Sequence, residues 1–102
     1  MSPRRRARVD TNQSDIVDAL RRIGCSVQSL AQLGSGCPDL LVWFRGESFL
    51  MELKSAPGDK LTPREAAWHA SWRGTVHVVR SVDEALGVVG AGAIASENRK
   101  GA

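Results

Sequence analysis

Asp39-Leu40-Leu41-Val42-Trp43-Phe44, a break at Arg45-Gly46-Glu47-Ser48, and then Phe49-Leu50-Met51-Glu52-Leu53-Lys54 decide how this chain is read. After its opening aspartate the first run is apolar on both faces, the pattern of a strand covered on both sides near the middle of a sheet. The break carries turn chemistry, so the two runs are expected to pair as a hairpin. Strand side chains alternate between faces. Phe49, Met51 and Leu53 therefore share one side, while Leu50, Glu52 and Lys54 share the other. Antiparallel counting about a turn at residues 45–48 sets Phe44 opposite Phe49 and Asp39 opposite Lys54, with Glu52 within reach. Two carboxyl groups and an ammonium are thus expected at one edge of the sheet.

On the N-terminal side, Asp10 or Thr11 caps a helix expected to run to about Ile23, with Ile16, Val17, Leu20 and Ile23 on one face and Gly24 as its stop. Residues 26–33 alternate loosely and suggest a first strand, followed by a turn at Gly34-Ser35-Gly36-Cys37-Pro38. On the C-terminal side, Thr62-Pro63-Arg64-Glu65 is a capping box with proline at the first helical position. It opens a helix to about Trp72. Thr75–Arg80 makes a fourth strand, and Ser81-Val82-Asp83-Glu84 caps a last short helix to about Val89. The order is helix, three strands, helix, strand, helix, which indicates an α/β fold around a mixed four-stranded sheet. Residues 1–9 read as a basic flexible arm, 10–89 as one domain, and 90–102 as a Gly/Ala-rich flexible tail.

A chain of 102 residues with 42% hydrophobic and 25% charged residues fits one ordinary globular domain. No apolar run approaches the roughly 20 residues of a membrane span. The N-terminus is basic but lacks the hydrophobic stretch of a secretory signal, so the cytoplasm is the expected location. The sequence pI is 9.4. Four arginines, Arg4, Arg5, Arg6 and Arg8, precede the first acidic residue. Setting them aside leaves ten basic against eleven acidic residues, so the excess charge sits in the arm and the body is nearly neutral. Such an arm is suited to a phosphate backbone. Cys25 and Cys37 have no partners at zinc spacing and are expected to be free thiols.

The chemistry rests on Asp39, Glu52 and Lys54. Two carboxylates held close repel unless one is protonated or a cation lies between them. Mg²⁺ prefers oxygen ligands, commonly one or two carboxylates plus water and phosphate. A neighbouring lysine can orient a water or offset charge at phosphorus. That combination suits phosphodiester hydrolysis. Lys60 and Arg64 flank the site and are candidates for holding phosphates. Trp68 and Trp72 lie four apart and are expected to pack on the sheet. His69, one residue off that stripe, is expected at the surface. A dinucleotide turn at Gly34-Ser35-Gly36 fails because its third glycine would fall at Asp39.

Gly36-Cys37-Pro38-Asp39 with Leu40-Leu41-Val42, then Met51-Glu52-Leu53-Lys54, resembles the PD-(D/E)XK nuclease superfamily. Lys60-Leu61-Thr62-Pro63 and the Trp-containing helix resemble its VRR-NUC branch, particularly the small stand-alone members of phage and bacterial genomes. The resemblance spans about residues 10–89 and implies a restriction-endonuclease-like αβββαβ core. It further implies that Asp39, Glu52 and the Leu53 backbone carbonyl bind Mg²⁺ or Mn²⁺, and that Lys54 assists the attacking water. In related enzymes the first helix often adds a polar or acidic ligand. Gln13 continues the core-facing stripe here and is the candidate, whereas the phase of Asp15 turns it outward. Where the superfamily often has Gln in the helix after the E-x-K strand, this chain has Glu65, which the capping box also explains. The functional expectation is an endonuclease cutting DNA, with branched or junction DNA as the candidate substrate, as a homodimer in a bacterial or phage-infected cell. Arg4, Arg5, Arg6, Lys60 and Arg64 are the expected nucleic-acid contacts. The alternatives are a non-catalytic nucleic-acid-binding module with this fold and a ribonuclease.

Overall fold

The computed structural model describes residues 3–56 and 58–90, with residues 3–11 described by backbone alone. Helix α1 spans Pro3–Arg22 and buries Ile16 and Leu20, four residues apart on one face. It ends in a Schellman turn: Cys25 N–H donates to Leu20 O and Gly24 N–H to Arg21 O. Gly24 takes the left-handed conformation this requires, with φ 102°. The helix starts well before the expected Asp10 or Thr11 and absorbs residues 3–9 of the expected arm. Arginine and alanine are strong helix formers, and proline is tolerated in a first turn. Residues 1–2, the side chains of Arg4, Arg5, Arg6 and Arg8, and residues 91–102 of the expected tail lie outside what is described.

Four strands follow in the spatial order β1-β2-β3-β4: β1 (Ser26–Ser29), β2 (Leu40–Phe44), β3 (Glu47–Leu53) and β4 (Val76–Val79). The first three are antiparallel neighbours, and β4 runs parallel to β3. Helix α2 (Pro63–Ser71) makes the crossover between β3 and β4, and α3 (Val82–Val88) closes the fold. A parallel pair needs such a crossover. The expected element order and mixed α/β sheet are therefore present. The first strand, expected to reach residue 33, stops at Ser29. Its hydroxyl accepts from Ala31 N–H and diverts the chain into a 3-10 turn at Ala31–Leu33.

The β2–β3 register differs from the simple count. Phe44 pairs with Glu47 and Leu40 with Met51, because the turn has two residues, Arg45 and Gly46. Both have positive φ, 52° and 87°, as a tight hairpin matched to strand twist requires. The shift is two residues, so every side chain keeps its expected face. Its partner changes: the ladder continues through Asp39 N–H to Met51 O at 3.0 Å, which puts Asp39 opposite Glu52 instead of Lys54.

One face of the sheet carries the core. Leu40, Val42, Met51 and Val79 are fully buried together with Ile16, Leu20 and Ala85. The other face is only partly covered, by α2. Although β2 is central in the sheet, Leu41 and Trp43 on this face remain 40% and 46% exposed. The expectation of cover on both sides is corrected accordingly, since a nine-residue helix is too short to roof the whole strand. Trp68 and Trp72 stack at 4.8 Å. With Leu30, Leu33, Leu41 and Leu50 they line an open hollow of about 440 Å³. Trp72 thus packs less fully on the sheet than expected.

Candidate active site

The site forms where β2 begins and β3 ends, on the face turned toward α2. Pro38 is fully buried and delivers Asp39 to the start of β2. There Asp39 Oδ2 accepts from Leu53 N–H at 2.7 Å, which fixes the carboxylate on the neighbouring strand. Lys54 N–H donates to Val79 O at 2.9 Å, so pairing with β4 continues one residue past Leu53 and holds the Glu52-Leu53-Lys54 backbone straight. Glu52 points inward and is 1% exposed.

Helix α2 supplies the partners. Glu65 closes the capping box, giving its N–H to Thr62 Oγ1 and accepting from Thr62 N–H. The same oxygen accepts from Lys54 Nζ at 2.6 Å. Glu65 is thus more than a cap. One helical turn on, His69 Nε2 lies 3.3 Å from Glu52 Oε1, with His69 14% exposed. The expected surface role for His69 is therefore corrected. A spacing of four residues puts Glu65 and His69 on one helix face, and that face looks onto β3. Helix spacing from the capping box would have found His69, had Glu65 been recognised as site-facing.

Gly36 lets the helix come this close. A Cβ at this glycine would lie 2.3 Å from Arg64 O, so the Gly36-Cys37-Pro38 loop presses directly on the first turn of α2.

Charge in the site is unbalanced. Burial first, and then the adjacent Asp39 carboxylate, push Glu52 up to about 9, with Lys54 opposing. Glu65 lies below the usual carboxylate range: burial works against this, but the Lys54 ammonium and the Thr62 N–H outweigh it. Burial and the same two acids, Glu52 and Asp39, also push the Cys37 thiol up. A divalent cation would relieve the Asp39–Glu52 repulsion, and hard carboxylate oxygens are what Mg²⁺ or Mn²⁺ takes. The donor set fits. Among the described residues no three His, Cys, Asp or Glu side chains are gathered to enclose an ion, so water or phosphate would have to complete the shell.

The structure brings Asp39, Glu52, Leu53 and Lys54 together. Gln13 is half-buried on α1 and lines a cavity of about 340 Å³ with Val17, Asp18, Arg21, Ser29 and Leu40, the residue that follows Asp39. That helix packs on the opposite face of the sheet. Asp15 is exposed, as are Lys60 and Arg64. Between Lys54 and Lys60, Ala56 and Asp59 are held by Arg80, whose guanidinium donates to Ala56 O and Asp59 O. Cys25 and Cys37 are free, as expected.

A mixed sheet with an acidic pair and a lysine at the β2–β3 edge defines a restriction-endonuclease-like, PD-(D/E)XK nuclease-like fold. More narrowly the fold is that of VRR-NUC domains. The solved structure of a VRR_NUC domain superimposes with a TM-score of 0.65 at 28% identity, covering 76% of this chain and 89% of that one. No protein-family sequence model matches the chain, and no curated protein sequence matches it.

Proposed function

We propose that this nuclease-like domain is a Mg²⁺- or Mn²⁺-dependent endonuclease that hydrolyses DNA phosphodiester bonds, with residues 10–89 as its working unit. The observation that carries this reading is the pairing of Asp39 with a buried Glu52 beside the Lys54 ammonium. Asp39 and Glu52, aided by the Leu53 carbonyl, would hold the cation. When bound it supplies Lewis acidity at the phosphoryl oxygen and lowers the pKa of neighbouring water. Asp39 is held by the Leu53 N–H and Lys54 by Glu65, so neither must reorganise when substrate arrives. Lys54, with two ammonium protons still free, orients the attacking water and offsets charge developing on phosphorus. Lys60, Arg64 and the arginines of the N-terminal segment, Arg4, Arg5 and Arg6, contact phosphates.

In this reading the enzyme works as a homodimer on branched or junction DNA in the cytoplasm of a bacterial or phage-infected cell. The partly uncovered apolar face around Leu41 and Trp43 supports the two-copy arrangement. Among the described residues no helix is long and apolar enough to cross a membrane.

The test is a cleavage panel of single-stranded, duplex, flapped and four-way-junction DNA, with matching RNA, in Mn²⁺, Mg²⁺ or chelator. Metal-dependent cutting is expected to fall at least about 100-fold in Asp39→Asn and Lys54→Ala. Cutting by either variant at the wild-type rate would refute the assignment. DNA binding that persists in chelator, with no nicking in either metal, would mark a non-catalytic binding module. Cleavage confined to RNA would mark a ribonuclease.

A further inference from the structure

We infer that His69 is a positioning residue for Glu52, fixing which carboxylate oxygen is presented to the divalent cation. This rests on the nuclease reading above. Glu52 has two equivalent oxygens on a torsion that is broad and weakly restrained in itself. Oε1 is taken by His69 Nε2 at 3.3 Å, and the pair is almost closed to solvent, at 14% and 2% side-chain exposure. Once a cation has taken the place of the Glu52 proton, the carboxylate can only accept, so His69 Nε2 would donate to Oε1 and leave Oε2 for the cation.

The imidazole itself is held. It sits one turn beyond Glu65 on a helix whose first turn is clamped by the capping box and pressed by Gly36. Its ring also meets Trp68 edge-on at 6.5 Å. One face of α2 therefore grips both working groups at the end of β3, Glu52 through His69 and, one residue past the strand, Lys54 through Glu65. Hydrogen-bond partners of ligating carboxylates and imidazoles commonly tune metal affinity by about 10–100-fold.

The experiment titrates the metal-free protein with Mn²⁺ alone, reading free ion by electron paramagnetic resonance. It compares wild type, His69→Ala, His69→Gln and Asp39→Asn, each with a thermal unfolding curve, and measures kcat and KM on cleaved DNA. His69→Ala is expected to weaken Mn²⁺ binding by about 10–100-fold and to lower kcat with KM for DNA unchanged. His69→Gln, whose amide nitrogen reaches about where Nε2 stood, is expected to recover Mn²⁺ binding to within a few-fold of wild type. A folded His69→Ala that binds Mn²⁺ as tightly as wild type overturns the inference while leaving the nuclease reading intact. So does a folded His69→Gln that binds as weakly as the alanine variant, or loss of thermal stability alone with metal binding unchanged. Wild-type protein that neither binds Mn²⁺ nor cuts overturns the underlying reading and this inference with it.

Discussion

Glu52 is buried beside Asp39, and its pKa of about 9 makes a prediction at the scale of one residue. In the unfolded chain a glutamate titrates near about 4.3. Between those limits the folded, metal-free protein keeps a proton that the unfolded chain has released. The contribution of Glu52 to stability is therefore full below about pH 4 and is lost progressively as pH rises toward 9. Thermal unfolding in chelator, followed by circular dichroism from pH 5 to 9, is expected to show Tm falling with pH. Glu52→Gln, neutral throughout, is expected to flatten that slope. A slope unchanged in the glutamine variant would mean that another group controls it. Asp39, Glu52 and Lys54 are legible in the sequence because strand alternation fixes their faces without any knowledge of the helices. His69 is not, because its meaning depends on which way α2 is turned, and a tryptophan stripe on the same helix competes for that assignment.

At the scale of elements, the hairpin and α2 decide the site's geometry. The hairpin's existence is legible from two apolar runs about a glycine turn, but its register is not. Arg45 had to adopt a positive φ, and an arginine does not advertise that. The start of α2 is fully legible, since Thr62-Pro63-Arg64-Glu65 states its own cap. What seats α2 on the sheet is Gly36, whose tolerance of φ 83° and lack of a side chain both matter. Gly36→Ala would drive a methyl group into Arg64 O. It is expected to cost about 1–3 kcal/mol in urea unfolding. Because α2 carries Glu65 and His69, the same variant is expected to lose cleavage under conditions where it is still folded. An alanine variant with unchanged midpoint and activity would show that the loop can yield at no cost.

Across the whole molecule the two faces of the sheet are unequal. Helices α1 and α3 bury one, while Leu41, Trp43 and Trp72 leave an apolar surface on the other. If a second copy covers this surface, Trp43→Glu is expected to convert a dimer into monomers in sedimentation velocity. Double-strand cuts would then give way to single nicks. A variant that sediments and cuts like wild type would place the contact elsewhere. The composition contains no hint of this asymmetry, because β2 is apolar at every position after Asp39 whether its outer face is roofed or bare. The two-residue Arg45-Gly46 turn has a last consequence, for how lineages of this protein can vary in length. Gaining or losing a single amino acid between Glu47 and Met51 would invert the parity of the strand, sending the acid into the greasy layer and a methionine into the cleft. Changes by pairs preserve sidedness, so viable insertions and deletions within this strand should arrive in even steps.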